Sequence, residues 1–316
     1  MEKPVPSALV VLIILLGFIA YSISCLYPAF DALFVALILG IFFGTLFEKN
    51  KNKEVIEKLL GITLPIGIML YGTNIKFSFP WDFPSHILAI TFLFVVLIST
   101  MVLVISRKLG VSEKFSVLLA CGSAICGASA IAILSPIIKP KKEEFSAAII
   151  IITIVGLTGA ILYPFLGYIL DIPPKSYAIL SGATLHQTGL VKIASIPFGS
   201  VIVREALAVK GIRIAMIAVV ALLASLIYSE NKFYVPWYVI GFLGMALLST
   251  FVLSNGIVKL IQPLSTIAFS ITLASIGFSV NMKDVQNMKL RPLMAAYGGW
   301  IFSLALFLVL IKGGLG

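Results

Sequence analysis

Four candidate basic side chains, His186, Lys192, Lys210 and Arg213, lie in a largely apolar part of the chain that also contains Arg204 and Glu205. Lys210 and Arg213 are three positions apart, so they share one face of a helix. Such a set attracts an anion, and the backbone N–H groups at a helix N-terminus would hold it, because that end carries partial positive charge. A histidine also titrates near neutral pH, so His186 could carry a coupled proton.

A second set of candidates lies in residues 121–136, CGSAICGASAIAILSP, where small and polar residues interrupt an apolar run. The candidate solute-binding residues here are Gly122, Ser123, Cys126, Gly127 and Ser129. Glycine lets a backbone approach a solute closely, and serine can cap a helix that starts within the segment. Loose polar backbone at membrane depth is tolerated only where protein buries it or water wets it. We therefore expect a broken helix beside a binding site.

The composition predicts an all-α integral membrane protein. Hydrophobic residues make up 60% of the chain and charged residues 11%, against about a quarter charged in soluble proteins. The mean hydropathy is +1.13. The apolar run 7–26 could be a signal peptide. Two observations argue against this: no small-residue cleavage site comes after it, and many similar apolar runs follow along the chain. Three cysteines in apolar context predict no disulfide framework. We predict a single transmembrane domain over residues 1–316, in the cell membrane.

The length that a helix needs to cross a bilayer, about 20 apolar residues, predicts about eleven spans. They start near residues 7, 29, 57, 86, 114, 146, 176, 206, 234, 259 and 291. If the first span is set aside, each of the next five spans pairs with the span five places later. The starts of the paired spans are about 145 to 149 residues apart. Five spans is an odd number, so we predict two inverted five-helix repeats, at about 29–170 and 176–312. Evenly spaced helices of similar length would show a similar regularity without duplication.

The interrupted segment belongs to the fourth span of its repeat, and the equivalent span of the second repeat is 259–281. This span is also polar for its depth, and Ser270, Thr272 and Ser275 join the predicted binding site. We expect these two spans to be a pair of broken helices that cross each other. The alternative is that small residues in both spans only let helices pack closely.

Two more polar residues complete the predicted site: Gln187, next to His186, and Asn74, near the end of the third span. Several residues also have a simpler interpretation. Lys192 and Lys210 could extend to the membrane surface, and His186 could be a hydrogen-bonded packing residue. The net charge of +10 could reflect loops that face anionic lipid rather than a basic path for a solute.

The acidic residues narrow the class of function. All 13 fall in loops or at span ends, whereas a cation–proton exchanger normally needs a carboxylate at mid-membrane. No P-loop is present, which argues against an ATP-driven pump. No HExxH or GxSxG motif is present either, and His86 and His186 are the two histidines, which argues against a membrane-embedded enzyme. No basic module for nucleic acid is found.

We therefore predict a secondary active transporter of a small anion that works by alternating access, with no metal and no cofactor. The alternative is a sodium-coupled carrier of an organic solute, with sodium held by hydroxyls and carbonyls. The coupling ion would be a proton or sodium. The partners would be the anionic solute and the lipid bilayer, and a homo-oligomer is left open. Replacing Gly127 with leucine is expected to abolish transport in a protein that still folds.

Four segments carry a resemblance to a known family: CGSAICGASAIAILSPIIK, GATLHQ, LAVKGIRI and LASIGFSVNMKD. With them the chain resembles, over nearly its whole length, the sulfate exporter family of YeiH-like bacterial and archaeal inner-membrane proteins. The resemblance implies a relation to bile acid–sodium symporters and cation–proton antiporters, with inverted five-helix repeats and crossing broken helices. It implies sulfate, a related sulfur oxyanion or an organic anion as the substrate. The family often has glutamate where this chain has Gln187, so no histidine–carboxylate proton relay is implied here.

Overall fold

The computed structural model describes residues 7–27, 30–46, 53–74, 85–228, 237–279 and 290–312. Every regular element in these ranges is helical: α1 (Ser7–Leu26), α2 (Ala32–Leu46), α3 (Lys53–Tyr71), α4 (Ser85–Lys108), α5 (Glu113–Ala124), α6 (Ala128–Ile138), α7 (Lys142–Ile169), α8 (Pro174–Thr184), α9 (Thr188–Ser195), α10 (Ser200–Tyr228), α11 (Trp237–Phe251), α12 (Asn255–Ser279) and α13 (Leu290–Lys312). Short 3-10 turns follow α3 at Gly72–Asn74 and α9 at Ile196–Phe198.

Six of the described helices, α1, α4, α7, α10, α12 and α13, are long and apolar enough to cross a membrane. This confirms the prediction of an all-helical membrane protein. Each predicted span start lies close to the start of a described helix, and the largest difference is between residue 206 and Ser200. The sequence also predicts turns between spans at 79–84 and 229–232, and these lie outside the described residues.

The chain forms two compact units. Unit 1 contains α1, α2, α3, α11 and α12. Unit 2 contains α4, α5, α6, most of α7, α8, α9, most of α10, and α13. Both units are built from segments that are far apart in sequence.

Helix α12 is the central element of unit 1, where it packs against α1, α2 and α3. A Cβ at Gly277 would lie 2.5 Å from the Leu37 carbonyl oxygen, so this glycine allows close backbone contact with α2. The Ser265 hydroxyl donates to the Gly67 carbonyl at 3.0 Å, and the hydroxyls of Thr63 and Thr272 lie 2.8 Å apart. Small and polar residues of α12 thus serve helix packing, as the alternative interpretation of this span held.

The expectation that the second broken span is 259–281 is wrong for its described part, because α12 runs without a break from Asn255 to Ser279. The second break lies instead between α8 and α9, at residues 185–187. The two breaks therefore fall in the fourth span of the first predicted repeat and the first span of the second, which are not equivalent positions. The repeat itself stays a prediction.

The first interrupted segment folds back on itself. Helices α5 and α6 have 12 and 11 residues, or about 18 and 17 Å each, roughly half the thickness of a bilayer core. The Lys114 ammonium, in the first turn of α5, donates to the carbonyl of Lys139, just after α6, at 3.0 Å. The two ends of the segment therefore lie side by side, and residues 113–138 form a re-entrant hairpin, called hairpin 1.

The second interrupted segment has the same form. The Tyr177 hydroxyl, near the start of α8, donates to the Ala194 carbonyl, near the end of α9, at 2.7 Å. The hydroxyls of Ser181 and Ser195 lie 3.1 Å apart, and the rings of Tyr177 and Phe198 stack with centroids 3.9 Å apart. Residues 174–198 are hairpin 2.

The prediction of two broken helices that each cross the membrane is therefore corrected to two re-entrant hairpins. Hairpin 1 ends just before α7 begins at Lys142, and hairpin 2 starts just after α7 ends at Ile169. Helix α7 has 28 residues, about 42 Å, enough to cross a membrane. The two hairpins thus enter from opposite ends of one membrane-spanning helix.

Candidate functional site

The tips of the two hairpins, residues 125–127 and 185–187, meet near the middle of α7. The Gln187 side-chain nitrogen donates to the Thr153 hydroxyl at 3.0 Å, and Thr153 is close to the midpoint of that helix. A Cβ at Gly127 would lie 2.7 Å from Gln187 Cγ, and one at Gly156 would lie 3.2 Å from Gln187 Oε1. Non-helical backbone from both hairpins is therefore gathered at mid-membrane depth, and we call this place the tip junction.

Arg213 connects the two tips from α10, and its side chain is fully buried. Its Nε donates to the Ala124 carbonyl at 2.8 Å and its Nη2 to the Ser123 carbonyl at 2.7 Å, both at the end of α5. Its Nη1 donates to the carbonyls of Gly182 at 3.2 Å and Leu185 at 2.7 Å, at the end of α8. The planar guanidinium suits this role, because it holds several donors in fixed directions.

Lys210 lies one turn before Arg213 on α10 and is also fully buried. Its Nζ donates to the carbonyls of Ile125 at 2.8 Å, Leu185 at 2.7 Å and His186 at 2.6 Å. Three acceptors at these distances need three N–H donors, which only the ammonium form of lysine supplies. The interpretation of Lys210 as a side chain that reaches the membrane surface is therefore wrong.

Together the two cations bind six carbonyl groups, three from each hairpin. The carbonyls of Ser123, Ala124 and Gly182 lie in the last turns of α5 and α8, where carbonyls lack partners inside the helix. Those of Ile125, Leu185 and His186 follow directly after the helix ends. Because such an end carries a partial negative charge of about −0.5, Lys210 and Arg213 neutralise both ends. They lie mid-helix in α10 rather than at its start, since α10 begins at Ser200.

Several polar atoms at the tip junction are buried and have no hydrogen-bond partner among the residues that the structure describes: Ser123 Oγ, both ring nitrogens of His186, and Gln187 Oε1. His186 is only 1% exposed. A buried polar group without a partner costs about 1–3 kcal/mol, and this clustering at two interrupted helices makes the tip junction the candidate functional site. The interpretation of His186 as a hydrogen-bonded packing residue is wrong, because its ring makes no hydrogen bond within the described chain.

The N-terminal ends of α6 and α9 begin at the same place, at Ala128 and Thr188. No side chain caps either of them, so Ser129 does not act as the cap that the sequence suggested. The junction therefore combines neutralised C-terminal ends with two N-terminal ends that carry partial positive charge.

The remaining predicted residues divide between the two units. Gly122 and Cys126 are buried in hairpin 1, and Ser129 is half-buried in the first turn of α6. Lys192 is exposed on α9, which fits the alternative of a side chain that reaches the membrane surface. In unit 1, the Asn74 amide donates to the Tyr71 carbonyl at 3.3 Å.

The predicted residues of α12 also lie in unit 1. The hydroxyls of Ser270, Thr272 and Ser275 each donate to the carbonyl four residues earlier in their own helix. Their part in solute binding stays a prediction.

Two features of the junction could not be predicted from the sequence. Thr153 and Gly156 lie in an apolar run of α7, and only the fold brings them to Gln187. A hydrogen-bonded group also holds the end of α8, where the Tyr163 hydroxyl lies 2.6 Å from the Thr184 hydroxyl and accepts a bond from the Trp300 indole at 3.0 Å.

Replacing Gly127 with alanine is expected to destabilise the protein by about 2–4 kcal/mol, from strain and overpacking together. Gly127 has φ 71° and ψ −130°, and the added Cβ would meet Gln187. The matched control is Gly199→Ala, at φ 98° with no atom within 4 Å of the new Cβ, so it carries strain alone. Thermal unfolding in detergent measures the loss of stability in each variant. Equal losses of stability in Gly127→Ala and Gly199→Ala would contradict the contact with Gln187. The expectation that Gly127→Leu leaves the fold intact is withdrawn for the same reason.

The fold and the junction define a multi-pass membrane protein with two re-entrant hairpins whose tips meet at mid-membrane. Residues 8–296 match the family model described as "Conserved hypothetical protein 698", and the chain belongs to this family.

The relatives agree with that assignment. A UPF0324 membrane protein of Archaeoglobus fulgidus is 50% identical over 97% of this chain and 93% of the relative. The UPF0324 membrane protein Atu0671 of Agrobacterium fabrum is 30% identical over 82% of this chain and 79% of the relative. No solved structure matches the chain. These names describe membrane proteins and give no substrate.

Proposed function

We propose that this protein is a secondary active transporter of a small anion, which binds at the tip junction and is carried by alternating access. The observation that carries the proposal is the pair of buried, unpartnered polar side chains of Ser123 and His186, beside the uncapped starts of α6 and α9. An anion there would accept a hydrogen bond from the Ser123 hydroxyl and one from a ring N–H of His186. It would also meet helix N-termini, which favour negative charge. The unpartnered Gln187 Oε1 is an acceptor and would not bind the anion.

The charges of the junction support an anion rather than a cation. The C-terminal ends of α5 and α8 contribute about −1 in total, while Lys210 and Arg213 contribute +2 and the starts of α6 and α9 about +1. Every hydrogen bond of the two cations within the described chain goes to a backbone carbonyl, not to a carboxylate. The sum is about +2 before a solute binds.

The same contacts argue against sodium coupling at this place. In sodium-coupled carriers, unwound backbone carbonyls and the C-terminal ends of half-helices coordinate the ion. Here Lys210 and Arg213 already bind those carbonyls. A proton carried by His186 stays the alternative coupling ion.

The substrate class follows from the charge balance and from the resemblance to the sulfate exporter family: sulfate, sulfite or a small organic anion. A site for a divalent oxyanion agrees with an excess of about two positive charges. We place the protein in the cell membrane, as one transmembrane transporter that is not an enzyme.

Proteoliposomes loaded with sulfate, sulfite or small organic anions test the proposal. We expect saturable exchange of at least one of them, at the same rate in choline and sodium salts. A dependence on sodium would favour a sodium-coupled carrier of an organic solute instead. No flux of any of these anions through correctly folded protein would contradict the proposal.

A further inference from the structure

We propose that Lys210 is a positioning residue that fills a cation site built by the carbonyl groups of both hairpin tips, so that its removal leaves a site for a small primary alkylammonium ion. The sequence suggested a role for Lys210 in solute binding or coupling. The contacts assign it a different role, which holds for whatever solute the protein carries.

The geometry around Nζ is that of a complete ammonium site. Its acceptors are the carbonyl oxygens of Ile125, Leu185 and His186, at 2.6 to 2.8 Å. They come from both tips, and the site is closed to solvent, since Lys210 is fully buried. All three ammonium protons are used, so none is left to donate to a solute.

The site keeps its acceptors when the lysine is shortened. The Leu185 carbonyl retains a bond to Arg213, while those of Ile125 and His186 lose the Lys210 donor. Removing Lys210 lowers the charge of the junction from about +2 to about +1, which is the sum of Arg213, the two C-terminal helix ends and the two helix starts. A cation that carries N–H donors would restore the charge that the lysine supplied and would meet the carbonyl oxygens of Ile125 and His186 that lost their donor.

The size of the expected ligand follows from the atoms removed. Lys210→Ala retains Cβ and removes Cγ, Cδ, Cε and Nζ, which correspond to the heavy atoms of n-propylammonium. The proposal therefore predicts chemical rescue of this variant by n-propylammonium chloride.

The experiment measures thermal unfolding of the purified protein in detergent. We expect Lys210→Ala to lower the Tm, and n-propylammonium to restore roughly half or more of the loss in a saturable manner, because a ligand that binds only the folded state stabilises it. The wild type and Lys192→Ala, which changes an exposed lysine, should not respond.

Three controls separate charge, donors and space. Propan-1-ol has the shape of the ligand without the charge, and tetramethylammonium has the charge without N–H donors, so neither should rescue Lys210→Ala. Lys210→Met loses the ammonium but fills the space, so n-propylammonium should not rescue it. Rescue of Lys210→Met, or equal rescue by either control compound, would overturn the proposal.

A Tm of Lys210→Ala equal to that of the wild type, or no response to n-propylammonium, would also overturn it. If the variant does not accumulate in membranes, the yield of folded protein from cells grown and solubilised with n-propylammonium becomes the readout. No increase in that yield then contradicts the proposal. Because no transported solute is used, this test and the flux test can fail independently.

Discussion

Replacing Arg213 with leucine is expected to cause the largest loss of stability of any single substitution at the tip junction, about 3–5 kcal/mol. The side chain is fully buried and makes four hydrogen bonds to carbonyls of both tips. Leucine would leave the carbonyls of Ser123, Ala124 and Gly182 without the Arg213 donors, while Leu185 would keep its bond from Lys210. Lys210 would be the one remaining cation of the pair beside the ends of α5 and α8. The measurement is thermal unfolding in detergent, with an expected fall in Tm of roughly 10 °C.

The matched control is Arg204→Leu, since Arg204 is exposed on the same helix and its loss should change the free energy of unfolding by less than about 0.5 kcal/mol. Arg213→Lys should recover only part of the loss, because an ammonium cannot reproduce the fixed directions of the guanidinium donors. An Arg213→Leu protein as stable as Arg204→Leu would show that Arg213 does not hold the tips together.

Replacing His186 with leucine is expected to abolish transport while leaving the Tm unchanged or higher. Both ring nitrogens are buried without partners, so an apolar side chain of similar volume removes an unsatisfied polar group rather than a stabilising bond. If the ring binds the anion, the loss of one hydrogen bond to a charged group should weaken binding about 10- to 100-fold. Stability and function would then change in opposite directions, as at other binding sites that cost stability.

His186→Gln is the conservative variant for this test, because it keeps a donor and an acceptor. It should bind the anion more weakly than the wild type and more strongly than His186→Leu. A His186→Leu protein that loses several degrees of Tm would assign the histidine to packing. One that transports at the rate of the wild type would remove it from the site.

Much of the helical framework could be predicted from the sequence, because long apolar runs and their breakers act locally. The interruption at 121–136 is visible for the same reason, since glycine and polar residues are unusual in an apolar run, and it forms the tip of hairpin 1. The second break, at 185–187, was not predicted, because the sequence analysis places the second broken span at 259–281.

The direction of the chain after each break was not readable. A crossing broken helix and a re-entrant hairpin both consist of two short helices separated by a break. They differ only in whether the second helix continues in the direction of the first or turns back beside it. That choice is visible in contacts between distant residues, Lys114 with Lys139 and Tyr177 with Ala194. The left-handed backbone of Gly127 permits the reversal in hairpin 1, but a glycine in the sequence is equally compatible with either form.

The partners of Lys210 and Arg213 were hidden for a similar reason. Their spacing correctly placed both on one face of α10, and the sequence assigned that face to a solute. The structure places backbone carbonyls there, and backbone groups leave no mark in a sequence. The polar residues of α12 show the same limit of sequence patterns, because hydroxyls that bond within their own helix look the same in a sequence as hydroxyls that bind a solute.

The most direct test of the proposed anion site at the tip junction is a calorimetric titration of the purified protein with sulfate and sulfite, each as the choline and the sodium salt. The proposal predicts one saturable site per chain for at least one of these anions. It also predicts the same Kd in both salts and binding about 10- to 100-fold weaker in His186→Leu. Binding that requires sodium, or equal affinity in the wild type and His186→Leu, would contradict it.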